Sequence, residues 1–187
     1  FAVYDEVHSN PIEEDVERGT AFFKKQNCDG LLALGGGSAM DVSKAIRFMA
    51  VLPAPLEQYS IVNGGSSCIE GSLPPLYAVP TTAGTGSEVG RGAVITLRET
   101  GRKTLFVAPP LMPNIAALEP ALTVSLPPHL TAATGIDAFT HSLEAYFAPV
   151  YHPMADGIAL EGIRICLANL STAVTEGQNL EARAAMQ

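Results

Sequence analysis

The feature that most constrains this chain is a short apolar run followed directly by a glycine turn. Residues 31–34 are Leu-Leu-Ala-Leu, residues 35–37 are all glycine, and a helical pattern runs over about 39–51. A buried strand, a tight turn and a helix in that order form the repeating unit of a doubly wound α/β sheet. The glycines on both sides favour a strand over a buried helical segment at 31–34.

The remainder of the first 122 residues also alternates predicted strands with predicted helices. Asn10 and Pro11 have the residue types of an N-cap and a first helical position, and Lys24 and Lys25 suit a last turn. The Pro-, Gly- and Ser-rich segment 53–75 is predicted to be a loop near the surface. The other predicted strands are residues 1–4, 76–79, 93–97, 104–107 and 115–118.

The character of the sequence changes near residue 122, where strand patterns stop. Helices are predicted over about 127–147, over 153–170 and from 179 onward, with prolines opening the first two. We therefore expect an α/β domain over 1–122 and the start of an all-helical domain over 123–187. Because the chain opens on Phe1 inside a predicted strand and ends on Gln187 inside a helical pattern, we expect it to be a fragment of a longer protein.

Composition narrows the possible partners. The 187 residues carry a net charge of −8 and no tryptophan, which argues against nucleic acid and anionic membrane surfaces as partners. No run reaches the ~18 uninterrupted apolar residues of a membrane span, and no secretory signal is visible. Cys28, Cys68 and Cys166 are widely spaced, which predicts reduced thiols and a cytoplasmic location.

The glycine turn is the first candidate binding motif, GGGSAMD over Gly35–Asp41. Glycines let the backbone approach a phosphate, and a helix N-terminus offers unpaired N–H groups and a positive dipole. Ser38 has the residue type of a helix cap or a phosphate ligand. A tight strand–helix turn with glycines for packing explains the same spacing, as does Asp41 serving only the helix dipole.

The second candidate motif is PTTAGTGSEVG over Pro80–Gly90, which again follows a predicted strand. Hydroxyls and backbone N–H groups together form a neutral cradle for an anionic or ribose-bearing ligand, although such a turn is usually only a solvated loop. Ligands of open α/β sheets lie at the carboxyl ends of the strands, which favours the binding interpretation for both loops. The hydroxyl groups belong to Thr81, Thr82, Thr85 and Ser87.

The third candidate is TGIDAFTHSLEAY over Thr134–Tyr146. Asp137 and His141 are four residues apart and share one face of the predicted helix, where they can bind one divalent transition metal. For an isolated pair at this spacing a plain hydrogen-bonded Asp–His pair is the favoured explanation, because such pairs are common on helix surfaces, and two ligands do not complete a metal site. His129 and His152 each lie beside a proline and are interpreted as structural, and His8 has no partner visible in the sequence.

Together these segments resemble the iron-containing (group III) alcohol dehydrogenase family. The resemblance rests on GGGSAMDVSKAI, VPTTAGTGSEV, the position of Lys103 and TGIDAFTHSLEAY, in that order, and it extends to the closing EARAAM. It implies a dehydroquinate synthase-like architecture, in which an α/β dinucleotide-binding domain precedes an all-helical domain and the active site lies between them.

The resemblance also implies a role for each site residue. Asp137 and His141 would supply two of four metal ligands, and the family's other two are histidines further along its helical domain. Lys103, which alone is usually only a solvated charge, would reach the nicotinamide ribose. Gly36, Gly37, Ser38 and Asp41 would lie at the pyrophosphate, and Thr81, Thr82, Thr85 and Ser87 would line the cofactor cradle.

The implied activity is hydride transfer between NAD or NADP and a small alcohol or aldehyde, with Fe²⁺ or Zn²⁺ polarising the substrate oxygen. Two alternatives stay open. One is a metal-independent reductase of the same fold, of the maleylacetate reductase kind, and the other is a non-catalytic nucleotide-binding remnant. A homo-oligomer is also expected, with Ile61, Val62 and the strand at 104–107 as its candidate interface.

Overall fold

The computed structural model describes residues 1–187 and packs them as two compact units. The first unit contains residues 1–79 and 87–117, and the second contains residues 80–86 and 118–187. The predicted division between residues 122 and 123 stays a prediction. The packing differs from it by placing Pro80–Gly86 with the helices.

The first unit contains a three-stranded sheet whose central strand, β2 (Leu76–Pro80), lies between β1 (Leu31–Gly35) and β5 (Ile115–Ala116). Strands β2 and β5 are parallel, with Tyr77 opposite Ile115. Helix α2 (Gly37–Met49) follows β1 directly. The strand–turn–helix unit predicted from the glycine turn is confirmed, and α2 begins two residues earlier than predicted.

An antiparallel hairpin forms the other sheet of this unit, with β3 (Gly92–Thr96) paired to β4 (Lys103–Val107). Helix α1 (Glu13–Lys25) is tied to the hairpin at one end, because Thr96 donates its backbone N–H to the Pro11 carbonyl over 2.8 Å. Beyond the hairpin strand, Arg98 forms ion pairs with Glu14 and Glu17 of α1.

Two apolar clusters form the core of the first unit. The smaller cluster lies where β1 and β2 meet α2 and contains Ala33, Met40, Leu76 and Ala78. The larger cluster joins α1, α2 and the hairpin, and its aromatic centre is Phe48, whose ring packs against Tyr59 and Phe106.

Two local predictions for the N-terminal segment are wrong. Residues 1–4 form no strand, because no neighbouring strand pairs with them; Tyr4 instead donates its hydroxyl to the Asp15 carbonyl oxygen over 3.0 Å. The N-cap of α1 is Ile12 and not Asn10. The Asp15 carboxylate accepts the Ile12 N–H over 3.1 Å, so a side chain inside the first turn does the capping.

The segment over 53–75 also differs from its prediction as a surface loop. It contains two short 3₁₀ turns, Leu56–Tyr59 and Gly65–Cys68. Leu56, Tyr59 and Ile69 are buried and belong to the larger core cluster. Composition correctly indicated an irregular segment here but gave no indication that its apolar side chains contribute to the core.

The second unit contains three helices, α3 (Pro128–Tyr146), α4 (Pro153–Thr175) and α5 (Leu180–Met186). The predicted helical half is confirmed, and α4 extends five residues beyond its predicted end. Helix α4 packs against both α3 and α5. Arg183 of α5 is buried and donates hydrogen bonds to the Thr131 hydroxyl and the Gly177 carbonyl, each over 3.0 Å.

Helix α4 is the one helix whose length and composition would allow a membrane crossing, with a mean hydropathy of 1.3 over an 18-residue window. Core helices of globular proteins meet the same criterion, and α4 carries the ion pair between Glu161 and Arg164. The three cysteines are free, as predicted: Cys166 of α4 is buried and Cys68 is exposed.

Candidate cofactor and metal sites

The glycine turn presents a helix N-terminus without a side-chain cap. Strand β1 ends at Gly35, Gly36 is the N-cap of α2, and no side chain accepts a hydrogen bond from the first turn. The unpaired N–H groups at the start of this 13-residue helix suit an anionic oxygen, since the dipole favours negative charge there. The geometry therefore fits the predicted phosphate role of Gly36 and Gly37.

Ser38 is not the helix cap, which corrects one of its two predicted roles. It lies inside α2 as the second helical residue. Its hydroxyl donates to the Ser9 carbonyl over 2.7 Å, which ties the glycine turn to the N-terminal segment. The hydroxyl oxygen retains lone pairs as an acceptor, so its remaining predicted role at a phosphate requires a donor from the ligand side or from water.

Asp41 faces β3 and is largely enclosed. Its carboxylate accepts the Ser87 hydroxyl over 2.7 Å and the Val94 backbone N–H over 2.9 Å. Burial raises the pKa of Asp41, although both hydrogen bonds act in the opposite direction. The structure thus brings together one residue from each predicted cofactor motif.

Within the second unit, Pro80–Gly86 carries the threonines of the hydroxyl-rich motif. The hydroxyl of Thr82 is buried and has no hydrogen-bond partner. Buried polar groups without a partner are uncommon and need an explanation. A ligand oxygen or nitrogen would satisfy this hydroxyl, which makes Thr82 the member of the motif that best fits a cofactor contact.

Lys103 begins β4, where it lies opposite Thr96, and its side chain is exposed. Its role at the nicotinamide ribose stays a prediction.

Asp137 and His141 lie on the same face of α3, with 3.6 Å between His141 Nε2 and Asp137 Oδ1. Each side chain is about half exposed, at 46% for Asp137 and 54% for His141. A carboxylate oxygen and an imidazole nitrogen form a donor set suited to Fe²⁺ or Zn²⁺. No third His, Cys, Asp or Glu joins them, so the chain's residues fit one part of a metal site, which ordinarily needs about four ligands.

The other histidines have different roles. His152 is the N-cap of α4, where its Nδ1 accepts the Ala155 N–H over 3.2 Å, so its structural role is confirmed. His129 is exposed at the start of α3. His8 has a partner that the sequence analysis missed, since its Nδ1 lies 2.7 Å from Asp15 Oδ1.

Lys44 is a second residue that the sequence analysis missed. Its ammonium donates hydrogen bonds to the Ser87 hydroxyl over 2.8 Å and to the Gly92 carbonyl over 2.7 Å. Burial lowers the pKa of Lys44 to about 8, although Asp41 and Glu88 attract the charge. Its position three residues after Asp41 places both on one side of α2, which is the only sequence feature that indicated it.

Comparison with known proteins supports one family over nearly the whole chain. Residues 1–120 match the family model described as iron-containing alcohol dehydrogenase. Residues 131–187 match the model described as the C-terminal part of the Fe-containing alcohol dehydrogenase family.

Two characterised relatives illustrate the similarity. The chain is 46% identical over 182 residues to a 4-hydroxybutyrate dehydrogenase of Cupriavidus necator, covering 97% of the chain and 47% of the relative. It is 41% identical over 182 residues to a 1,3-propanediol dehydrogenase of Klebsiella pneumoniae, covering 97% of the chain and 46% of the relative. The chain thus spans about half the length of these relatives.

Solved structures share the fold. A crystal structure of a 1,3-propanediol oxidoreductase matches with a TM-score of 0.93 at 40% identity, covering 99% of this chain and 47% of the other. A sulfoacetaldehyde reductase from Bifidobacterium kashiwanohense, solved in complex with NAD⁺, matches with a TM-score of 0.89 at 34% identity, covering 100% of this chain and 49% of the other.

Proposed function

Because this chain belongs to the iron-containing alcohol dehydrogenase family, we propose that its protein transfers hydride between NAD or NADP and a small alcohol or aldehyde. The observation that carries the proposal is the pairing of Asp137 and His141 on one half-exposed face of α3. The bound groups would supply Lewis-acid polarisation of the substrate oxygen by Fe²⁺ or Zn²⁺ and hydride exchange by the nicotinamide ring.

In this proposal the dinucleotide is held by both loops. The N–H groups at the start of α2, around Gly36, Gly37 and Ser38, bind the pyrophosphate, since they have no side-chain cap. The unpartnered hydroxyl of Thr82 donates to the cofactor, together with Thr81 and Thr85. Lys103 supplies a cation toward the ribose.

Asp41 and Ser87 support the cofactor loops, because the Ser87 hydroxyl already donates a hydrogen bond to the Asp41 carboxylate. Their hydrogen bond fixes where the hydroxyl-rich loop ends beside α2. Asp137 and His141 would supply two of the metal's ligands, and the remaining ligands would come from residues outside this chain.

The metal-dependent activity is preferred over a metal-independent reductase because both ligand-type side chains of α3 are present and accessible. A metal-independent reductase would not need both side chains for its reaction. The small-molecule substrate is proposed as an alcohol or aldehyde, in line with the names of the dehydrogenase relatives. A cytoplasmic location and a homo-oligomer stay predictions.

The test is oxidation of NADH and NADPH with short-chain aldehydes, using the protein at its full natural length. The assay is run as isolated, after metal chelation, and after adding Fe²⁺ or Zn²⁺. Activity lost on chelation and restored by metal supports the proposal. Activity indifferent to chelation would move the protein to the metal-independent reductases. Nucleotide binding without turnover of any aldehyde or alcohol would indicate the non-catalytic remnant.

A further inference from the structure

Lys44 is completely buried and is among the largest side chains that are. Lysine is almost never fully buried unless its charge is paired or hydrogen-bonded. Here the ammonium is held by two oxygens, the Ser87 hydroxyl and the Gly92 carbonyl, and it forms no direct ion pair with an acid. Burying such a group is costly, so the position calls for an explanation beyond packing.

A single hydroxyl links Lys44 to Asp41. Ser87 Oγ accepts from Lys44 Nζ and donates to Asp41 Oδ1, and the other carboxylate oxygen accepts the Val94 N–H. We call these three groups the Lys44–Ser87–Asp41 network. Charge-assisted hydrogen bonds of this kind are stronger than neutral ones, and removing one member leaves its buried neighbour with one hydrogen-bond partner fewer.

Two members of this network, Asp41 and Ser87, belong to the two candidate cofactor motifs. Asp41 closes the GGGSAMD motif on α2, and Ser87 lies near the end of the hydroxyl-rich motif. Lys44 belongs to neither motif, but its ammonium donates to the Ser87 hydroxyl and also to the carbonyl of Gly92, the first residue of β3. A displacement of Lys44 would therefore move the end of one motif relative to the other.

We propose that Lys44 is a positioning residue for dinucleotide binding, acting by holding Ser87, at the end of the hydroxyl-rich motif, against Asp41 of α2. This inference rests on the proposed function, since the ligand so positioned is NAD or NADP. Lys44 does not contact the cofactor in this proposal. It fixes Ser87, which follows directly in sequence the segment whose hydroxyls do.

A buried cation on the same helix provides the matched control. Arg47 lies one turn further along α2 and is also buried. It donates to the backbone carbonyls of Pro74, Pro110 and Met112 and to the side chain of Asn114, none of which belongs to either motif. If both cations served packing alone, the loss of either should affect nucleotide binding and stability to a similar extent. If Lys44 positions the motif, its loss should weaken nucleotide binding more than the loss of Arg47 does.

The experiment compares Lys44→Met, Lys44→Arg and Arg47→Met in the full-length protein by NADH fluorescence titration and thermal unfolding. We expect Lys44→Met to raise the Kd for NADH at least tenfold and the KM for the nucleotide more than it lowers kcat. Lys44→Arg should recover part of the affinity because it keeps the charge and donors. Arg47→Met should change the Kd less than threefold at a comparable loss in Tm.

A pH titration of the unsubstituted protein keeps the test available if Lys44→Met does not fold. The charged groups that face Lys44 are Asp41 on its own helix and Glu88 on the neighbouring 3₁₀ turn. Because the pKa of Lys44 is about 8, its charge falls between pH 7 and pH 9 and its hold on Ser87 weakens. We expect the Kd for NADH to rise at least threefold over that interval.

Three results would overturn the inference: nucleotide affinity unchanged in Lys44→Met, equal weakening in Lys44→Met and Arg47→Met, or, where the variant does not fold, a Kd that is flat from pH 7 to pH 9. If the unsubstituted protein binds neither NADH nor NADPH, the proposed function itself is wrong, and the positioning role of Lys44 is rejected as well. Normal binding in the unsubstituted protein with no effect in Lys44→Met rejects the positioning role alone.

Discussion

Gly84 lies directly against the backbone carbonyl of Thr134, and a Cβ at position 84 would overlap that oxygen. Gly84 also has a φ of +146°, a backbone conformation that side-chain-bearing residues rarely adopt. This contact seats the hydroxyl-rich segment on α3 one turn before Asp137, within the second unit.

Replacing Gly84 with alanine is therefore expected to be severe. Overlap with a backbone atom and the positive φ together should lower the free energy of unfolding by about 3 kcal/mol. The matched control is Gly86→Ala, where φ is +63° but nothing lies near the added Cβ, and the loss should be about 1 kcal/mol. Urea unfolding of both variants measures the difference, and equal losses would show that Thr134 moves aside easily.

Substitution of the paired side chains on α3 tests the metal assignment. Asp137→Asn and His141→Ala should each reduce metal affinity about 100-fold or more, since each removes one of the two proposed ligands. Turnover should fall in proportion to the loss of bound metal, while NADH binding stays close to normal. Elemental analysis and titration with Fe²⁺ or Zn²⁺ measure the effect. Glu144→Gln, an exposed acid on the same helix, is the control, and full metal content in Asp137→Asn would refute the assignment.

Arg183 should be important for the stability of the second unit. Its buried guanidinium has no acidic partner and donates to the Thr131 hydroxyl and to the Gly177 and Leu126 carbonyls. Arg183→Met would leave these acceptors unpaired and should cost about 3 kcal/mol of unfolding free energy. Arg164→Met removes an exposed ion pair with Glu161 and should cost less than about 1 kcal/mol. Equal losses of unfolding free energy in the two variants, measured by denaturant melts, would contradict this expectation.

The buried carboxylate of Asp15 predicts a loss of stability in acid. Burial alone would raise its pKa, but hydrogen bonds from Ile12 and His8 outweigh burial and hold the pKa below its ordinary value. The unfolded chain therefore takes up this proton first as pH falls, so the stabilisation is complete above about pH 4 and disappears as pH drops through the lower folded pKa.

Asp15→Asn removes that dependence. At pH 7 the variant should be less stable by about 2 kcal/mol, because a charged acceptor is lost at the start of α1. Between pH 5 and pH 2 its stability should fall less steeply than that of the unsubstituted protein. Urea melts across this range measure both slopes, with the exposed Asp5→Asn as the control. Parallel slopes would show that Asp15 does not set the acid sensitivity.

Local sequence signals predicted most elements of the fold. The glycine turn after residues 31–34 correctly placed β1 and α2, and prolines correctly marked the starts of α3 and α4. Residues 1–4 were predicted wrongly because a short apolar run does not reveal whether a neighbouring strand exists to complete the hydrogen bonds. Ile12 could not be identified as an N-cap because its capping group belongs to Asp15, three residues later.

The candidate site likewise contains contacts that the sequence predicted and contacts that it could not predict. Asp137 and His141 are neighbours through helical spacing, so the sequence predicted their approach correctly. The contacts of Asp41 and Lys44 with Ser87 span more than 40 residues and depend on how α2 packs on β3. No local periodicity encodes such a pairing. The orphaned hydroxyl of Thr82 likewise becomes visible only when burial is known.

Because Pro80–Gly86 packs with the helical unit, it affects how chimaeras of this family can be made. The chain crosses between its units three times, after residues 79, 86 and 117, so no single crossover point separates them. A hybrid joined only after residue 117 would seat one parent's Gly84 on another parent's Thr134. Functional recombinants should therefore inherit residues 80–86 and α3 from the same parent.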